Sequence, residues 1–208
     1  GQDYSRTRRL ILDLGLRDKI VFIAGSTRGI GLAIAKAFVE EGAIVTITGR
    51  EETTLKKATS ELDGFPGANV IGIQGDMTDR TQIRKSLRMT TDTYGGIDAV
   101  VANVGGGTSK NGWELDDDDW TSVLGMNLMG SVILAREAMP YLLERDHASL
   151  TFISSIAGYE TIGAPIAYSA SKAAIDSSMK SLSRLVGPND VRVNAVSPGN
   201  VLFRGGSW

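Results

Sequence analysis

The chain has 208 residues, with 42% hydrophobic and 22% charged side chains and a formal net charge of −2, a composition ordinary for a soluble globular protein with a substantial core. The near-neutral charge gives no electrostatic case for nucleic acid, whose binding usually needs a concentrated basic face. Cysteine is absent and His147 is the single histidine, which excludes disulfides, thiolate metal sites and cysteine nucleophiles and argues against a histidine-rich metal centre or a Ser-His-Asp triad.

The N-terminal stretch from Arg6 to Leu16 has basic residues and then a short apolar run interrupted by Asp13, with no small-residue cleavage site after it. It does not read as a signal peptide; residues 1–18 are expected to form an ordered arm on the domain or on a neighbouring subunit. No apolar stretch approaches the ~20 residues that span a bilayer, so no membrane partner is expected and the expected location is the cytoplasm. From residue 19 to residue 208, no linker, repeat or low-complexity tract divides the chain. Short runs rich in β-branched residues occur at Lys19–Ala24, Ala43–Thr48, Asn69–Gln74, Ile97–Asn103, Ser149–Ser154 and Val191–Val196. Helical patterns lie between them at Gly29–Glu41, Glu51–Leu62, Arg80–Tyr94, Asp117–Glu144 and Ala167–Leu185. Continuous apolar runs suit strands covered on both faces. Their alternation with helices predicts an α/β fold with a doubly wound parallel sheet and right-handed crossovers. The acidic run Asp116–Asp119 reads as a helix start, where carboxylates cap amides and oppose the dipole. His147, beside Arg145 and Asp146 at a helix end, reads as a solvated residue, and no metal site is expected.

The first strand runs into Gly25-Ser26-Thr27-Arg28-Gly29-Ile30-Gly31, and a helical pattern follows. A strand-to-helix turn exposes backbone amides at the helix N-terminus, where a pyrophosphate is stabilised. Glycines are needed there because a Cβ would block the turn, the phosphate approach or the helix–strand packing. The spacing is Gly-x-x-x-Gly-x-Gly, and its position between a first strand and a first helix points to dinucleotide binding. At the end of the second strand an acid would bind the free 2′-hydroxyl of NAD, whereas a base would accommodate the 2′-phosphate of NADP. This chain places Arg50 there and Arg28 in the loop, which favours NADP(H), with NAD(H) as the alternative.

Tyr168 and Lys172 stand four residues apart, on one face of a helix. A phenol with a pKa near ~10 is a poor acid or base at neutral pH. A cation one turn away favours its phenolate and brings it toward acid–base work, and Lys172 is long enough to reach a nicotinamide ribose. Ser155, 13 positions before Tyr168, ends the SLTFISS run; a serine at the carboxyl edge of the sheet can donate to a substrate carbonyl. Ser154 is the second candidate for that role.

In order and spacing the glycine loop, Asn103-Val104-Gly105, Asn127 in MNLMG, Ser155, Tyr168 and Lys172 resemble the compact short-chain dehydrogenase/reductases. The resemblance runs from about Lys19 to Gly199 and ends in Asn194-Ala-Val-Ser-Pro198-Gly199. It implies a Rossmann-like sheet ordered 3-2-1-4-5-6 and hydride transfer between a nicotinamide cofactor and a carbonyl or alcohol. Tyr168 would be the general acid of reduction, Lys172 the residue that lowers its pKa and holds the ribose, and Ser155 the residue that orients the carbonyl. Asn127 would support a water-linked proton path. Asp76 and Met77 would meet the adenine, Asn103 and Gly105 would lie near the adenosine ribose, and Pro198 and Gly199 beside the nicotinamide. A homodimer or homotetramer is also implied. Structural roles for Asp76, Asn127 and Asn103 (turn cap, helix-bend residue, loop brace) stand as alternatives.

Two mild departures from the family pattern are Ala24, in place of a threonine, and Ala102-Asn103-Val104-Gly105, in place of Asn-Asn-Ala-Gly. Family members usually continue past the proline–glycine segment with a substrate-covering loop, a helix and a seventh strand, here apparently missing. The expectation is either a native chain that extends beyond Trp208 or a shortened form. β-Ketoacyl thioesters, sugars or polyols, and other small ketones or alcohols lead as substrate classes. A cofactor-binding protein without turnover is the rival reading. An isomerase or dehydratase of the longer relatives fits less well, because nothing like their extra domain follows the sixth strand.

Overall fold

The computed structural model describes residues 12–107 and 109–202; residues 1–11 of the expected arm lie outside the described residues. Six strands, β1 (Ile20–Ile23), β2 (Ile44–Gly49), β3 (Asn69–Gln74), β4 (Ala99–Ala102), β5 (Ser149–Ile153) and β6 (Arg192–Val196), form one sheet. Every pairing is parallel, and the order is β3-β2-β1-β4-β5-β6, as the resemblance implied. The helices are α1 (Gly29–Glu40), α2 (Glu52–Asp63), α3 (Arg80–Tyr94), α4 (Asp117–Leu124), α5 (Gly130–Leu142) and α6 (Ile166–Val186). No helix among the described residues is long and apolar enough to cross a membrane.

Alternation along the strands divides the core between the two faces of the sheet. Phe22, Val100, Leu150 and Phe152 pack against Ile83 and Leu87 of α3, Leu134 and Leu142 of α5 and Ile175 of α6. Val21, Ile23, Val45 and Ile47 pack on the other face against Ala35 and Val39 of α1 and Leu55 and Leu62 of α2. The central strand β1 is buried on both faces, which is why its sequence is a continuous apolar run and not an alternating one. β6 instead buries Val193 and exposes Arg192 and Asn194, the alternation of a strand with one wet face.

Local signals fix the helix ends. The Asp79 side chain accepts from Gln82 N at 2.9 Å to start α3, and Gly95, at φ 85°, closes it with a bond to Thr91 O. Asp116 starts α4 by accepting from Asp119 N at 2.8 Å. Asp98 joins the amino edge of the sheet to the end of α5: it accepts from Ile20 N at 2.8 Å and from Arg145 Nε at 2.9 Å. His147 is exposed and pairs with Asp190 through Nδ1 at 2.7 Å. The helix expected from Asp117 to Glu144 is not continuous. A π-turn at Gly125–Met129 separates α4 from α5, and one extra residue per turn there rotates Asn127 out of regular register.

Candidate active site

The carboxyl ends of the strands open into a cleft of about 740 Å³ that runs from Arg28 and Arg50 to Tyr168 and Lys172. This is where open α/β sheets bind ligands. The glycine loop forms one wall. Gly25 has φ +59°, and a Cβ there would collide with Asn103 O, so the first position accepts glycine alone without strain. Asn103 Nδ2 donates to Gly25 O at 2.8 Å and to Ala24 O at 3.3 Å. Thr48 Oγ1 accepts from Gly25 N at 3.1 Å. The loop is thus braced by β4 on one side and β2 on the other. Ser26 is fully buried behind it, with Oγ donating to Ile23 O at 2.7 Å and accepting from Thr48 N at 2.9 Å.

Past the loop, α1 starts at Arg28 with no side-chain cap among the described residues. Its first amides are therefore available to an anion, as a pyrophosphate requires. Thr27, Arg28, Gly29 and Ile30 line the cleft, whereas Ser26 and Gly31 do not. Those two residues serve the loop from behind: a side chain at Gly31 would strike Gly25 O and Asn103 Nδ2. Arg28 and Arg50 both line the cleft, and neither forms an ion pair with a carboxylate among the described residues. Asp76 and Met77 follow on the same wall. Asp76 Oδ1 accepts from Thr78 N at 2.9 Å and from Thr78 Oγ1 at 2.7 Å, so it caps a turn while facing the cleft. These amides, cations and glycines fit an extended dinucleotide.

At the other end, α6 carries Tyr168 and Lys172 one turn apart. Lys172 is 5% exposed; its Nζ donates to Ile153 O at 2.9 Å and lies 5.6 Å from the centroid of the Tyr168 ring. Burial pulls its pKa from 10.5 down to about 8, a fall that the Asp176 carboxylate partly opposes. The two serines divide differently from expectation. Ser154 lines the cleft and its Oγ donates to Lys172 O at 3.3 Å. Ser155 is buried, outside the cleft wall, and its Oγ accepts from Ala157 N at 3.2 Å.

Asn127, 1% exposed in the π-turn, donates through Nδ2 to Val123 O at 3.1 Å and accepts from Gly106 N at 3.0 Å. Gly105, at φ +129°, leaves no room for a Cβ beside that amide oxygen. Asn127 therefore clamps the loop after β4 to the helix. Pro198 accepts from Ile156 N at 3.1 Å and Gly199 follows next to Ile156; neither lines the cleft.

Sequence reasoning missed Thr48, whose hydroxyl binds the loop, and Asp176, a carboxylate buried beside Lys172. The signal for Thr48 was present: Thr46 and Thr48 are polar residues at alternate positions of an otherwise apolar strand. Asp176 gave none, because an acid on a helix is normally exposed.

A doubly wound parallel sheet whose carboxyl edge carries a phosphate loop defines a dinucleotide-binding α/β protein. Residues 19–204 match the family model described as short chain dehydrogenase, and the chain belongs to that family of NAD(P)-dependent dehydrogenases and reductases. It is 32% identical over 186 residues to an uncharacterized oxidoreductase of Staphylococcus aureus strain MRSA252, covering 89% of this chain and 79% of the relative. L-Sorbose reductase from Gluconobacter frateurii, solved with NADPH and L-sorbose, superposes with a TM-score of 0.87 at 29% identity, covering 92% of this chain and 73% of the reductase. The NADPH-bound short chain oxidoreductase from Pseudomonas aeruginosa PAO1, described as containing an atypical catalytic center, gives 0.82 at 27% identity, with coverages of 86% and 70%.

Proposed function

We propose that this oxidoreductase interconverts a small carbonyl compound and its alcohol with NADP(H) as the preferred cofactor. The observation that carries the reading is Lys172, buried beneath the Tyr168 ring at the end of the same cleft that begins at Arg28 and Arg50. Arg28 and Arg50 supply the two cations that a 2′-phosphate would engage, and the uncapped start of α1 takes the pyrophosphate. The bound nicotinamide supplies the hydride for reduction or accepts it in oxidation. Tyr168 gives its phenolic proton to the carbonyl oxygen as the alcohol forms, and takes a proton back in the reverse direction. Lys172 stabilises the resulting phenolate and holds the ribose; Ser155 keeps the carbonyl-orienting role on its spacing from Tyr168, and Ser154, which lines the cleft, is the alternative donor that the geometry favours. Asn127 keeps the loop after β4 and the start of α5 in register and supports the path that reprotonates Tyr168. Two NADPH-bound relatives support the choice of cofactor.

The test pairs binding with turnover. Fluorescence titration should show tighter binding of NADPH than of NADH. NADPH oxidation should then be followed against ketoses, β-ketoacyl thioesters and small ketones. Tyr168→Phe should lower turnover by about 10²–10⁴-fold and leave NADPH affinity nearly intact. Turnover at the wild-type level in that variant would overturn the role given to Tyr168. In solution a homodimer or homotetramer is expected, because Leu143 at the end of α5 and Leu185 on α6 leave apolar side chains exposed. Light scattering that gives the monomer mass would reject it.

A further inference from the structure

We propose that Asp176 is a positioning residue of this site: its buried carboxylate is the counter-charge that keeps Lys172 protonated and leaves its ammonium aimed at Tyr168. The inference rests on the reading that Lys172 serves Tyr168, and it concerns a residue one turn farther along α6. Residues four apart on a helix share a face. Asp176 is 3% exposed, and neither of its oxygens accepts a hydrogen bond among the described residues. A carboxylate buried in that way is costly unless a charge compensates it. The buried cation on the same face is Lys172.

The two groups make no direct ion pair. Lys172 Nζ spends its short contact on Ile153 O and stays over the Tyr168 ring. A direct bridge would draw the ammonium away from the phenol. Charge acting through the low-dielectric interior without direct contact instead favours the protonated lysine and leaves it in place. The turn Ile156–Gly158, which follows Ser155, closes over the carboxylate. A Cβ on Gly158 would come within 3.1 Å of Asp176 Oδ2 and 2.9 Å of Ala173 N, so glycine allows the turn to seal this face.

Other charges near α6 do not substitute for Asp176. Asp117 and Asp118 on α4, Arg136 on α5, Arg192 on β6, Asp190 before β6 and Glu160 after the turn are all exposed. Asp119 and Glu137 are engaged by Lys110 and by Arg80, Arg84 and Arg136. Among the described residues, Asp176 is the buried charged group placed on the face of α6 that carries Lys172, and it opposes the effect of burial.

The experiment reads Lys172 directly. Protein labelled with ¹³C at lysine Cε is titrated by NMR without cofactor, with Lys172→Met to assign the resonance. Asp176→Asn keeps the side-chain shape while removing the charge. Asp176→Ser removes the charge in a smaller residue, in case the amide packs badly, and circular dichroism confirms that each variant is folded. The midpoint of Lys172 should fall by about one pH unit in both. The corresponding limb of the kcat/KM profile should move by the same amount. An unmoved midpoint in a folded neutral variant would overturn the proposal. The NMR reading needs neither turnover nor substrate, so wild-type activity in Tyr168→Phe would refute the catalytic reading and leave this result standing separately.

Discussion

Burial of Lys172 has a stability consequence that is large enough to measure. Its pKa in the fold is about 8, against 10.5 for an unburied lysine. The gap, 10.5 − 8, at about 1.4 kcal/mol per pH unit, amounts to about 3 kcal/mol as an order of magnitude. The sign follows from linkage. Between these two values the unfolded chain holds more protons than the native one, so native stability rises with pH across that window. Below about pH 8 the whole penalty is present, and above about pH 10.5 it is gone. Lys172→Met keeps an unbranched side chain of similar volume and discards the charge, beside the same Asp176. It also strips Ile153 O of its donor, at a cost of about 1 kcal/mol. The variant should therefore be more stable than wild type by about 2 kcal/mol at pH 7. The advantage should vanish and slightly reverse by about pH 10.5, where neutral lysine still donates to Ile153. Urea unfolding of both proteins without cofactor at pH 7, 8, 9 and 10 measures the difference, and titrations common to the two chains cancel. A difference that stays flat with pH, or a variant less stable at pH 7, would refute the reasoning.

Arg50→Ala should weaken NADPH binding at least tenfold while changing NADH affinity little; equal losses in fluorescence titrations would mean that Arg50 does not read the 2′-phosphate. Gly25→Ala should cost about 2–3 kcal/mol in urea unfolding, from left-handed strain plus the clash with Asn103 O, and wild-type stability would show that the loop relaxes freely. Glu137, held by Arg80, Arg84 and Arg136, has its pKa lowered from 4.5 to about 2. Its contribution is therefore present above pH 4.5 and is lost as pH falls through about 2. Glu137→Gln should destabilise the protein by about 1 kcal/mol at pH 6 and by less at pH 2.5, and a gap that widens on acidification would contradict this.

The strands were legible because a parallel sheet covered on both faces favours apolar runs, which IVFI in β1 supplies without interruption, and SLTFI in β5 places apolar residues at its buried positions Leu150, Phe152 and Ile153. The break between α4 and α5 left no mark in the helical pattern and was anticipated only through the helix-bend alternative for Asn127. It depends on Asn127 bonding Gly106 across the chain, a contact with no local signature in the 3.6-residue pattern. The same distinction runs through the site. Arg28, Arg50, Tyr168 and Lys172 could be placed from strand ends and helical spacing, and the structure brings them to one cleft. Ser26 and Gly31 share the loop's sequence but lie behind it, because Ser26 is tied to Ile23 O and Thr48 N and Gly31 packs against Gly25 O and Asn103. Ser154 and Ser155 are adjacent at a strand end, where neighbouring side chains point to opposite faces, and spacing from Tyr168 alone cannot show which one reaches the cleft.

The carboxyl end of this sheet departs from the rule that buried charges are paired and buried acceptors satisfied. Lys172 is buried against its own ionisation, and Asp176 lacks a donor among the described residues, on a helix that is otherwise ordinarily amphipathic. Local rules give way most often where function requires it. Here the departure has a definite chemical effect: a cation is held close to a phenol without being neutralised by direct contact. A direct Lys172–Asp176 bridge would satisfy both groups better and serve Tyr168 worse. The stability lost to burying Lys172 and the catalytic service proposed for it beside Tyr168 thus arise from one arrangement. A substitution that relieves the first should diminish the second, and Lys172→Met tests both in the same protein.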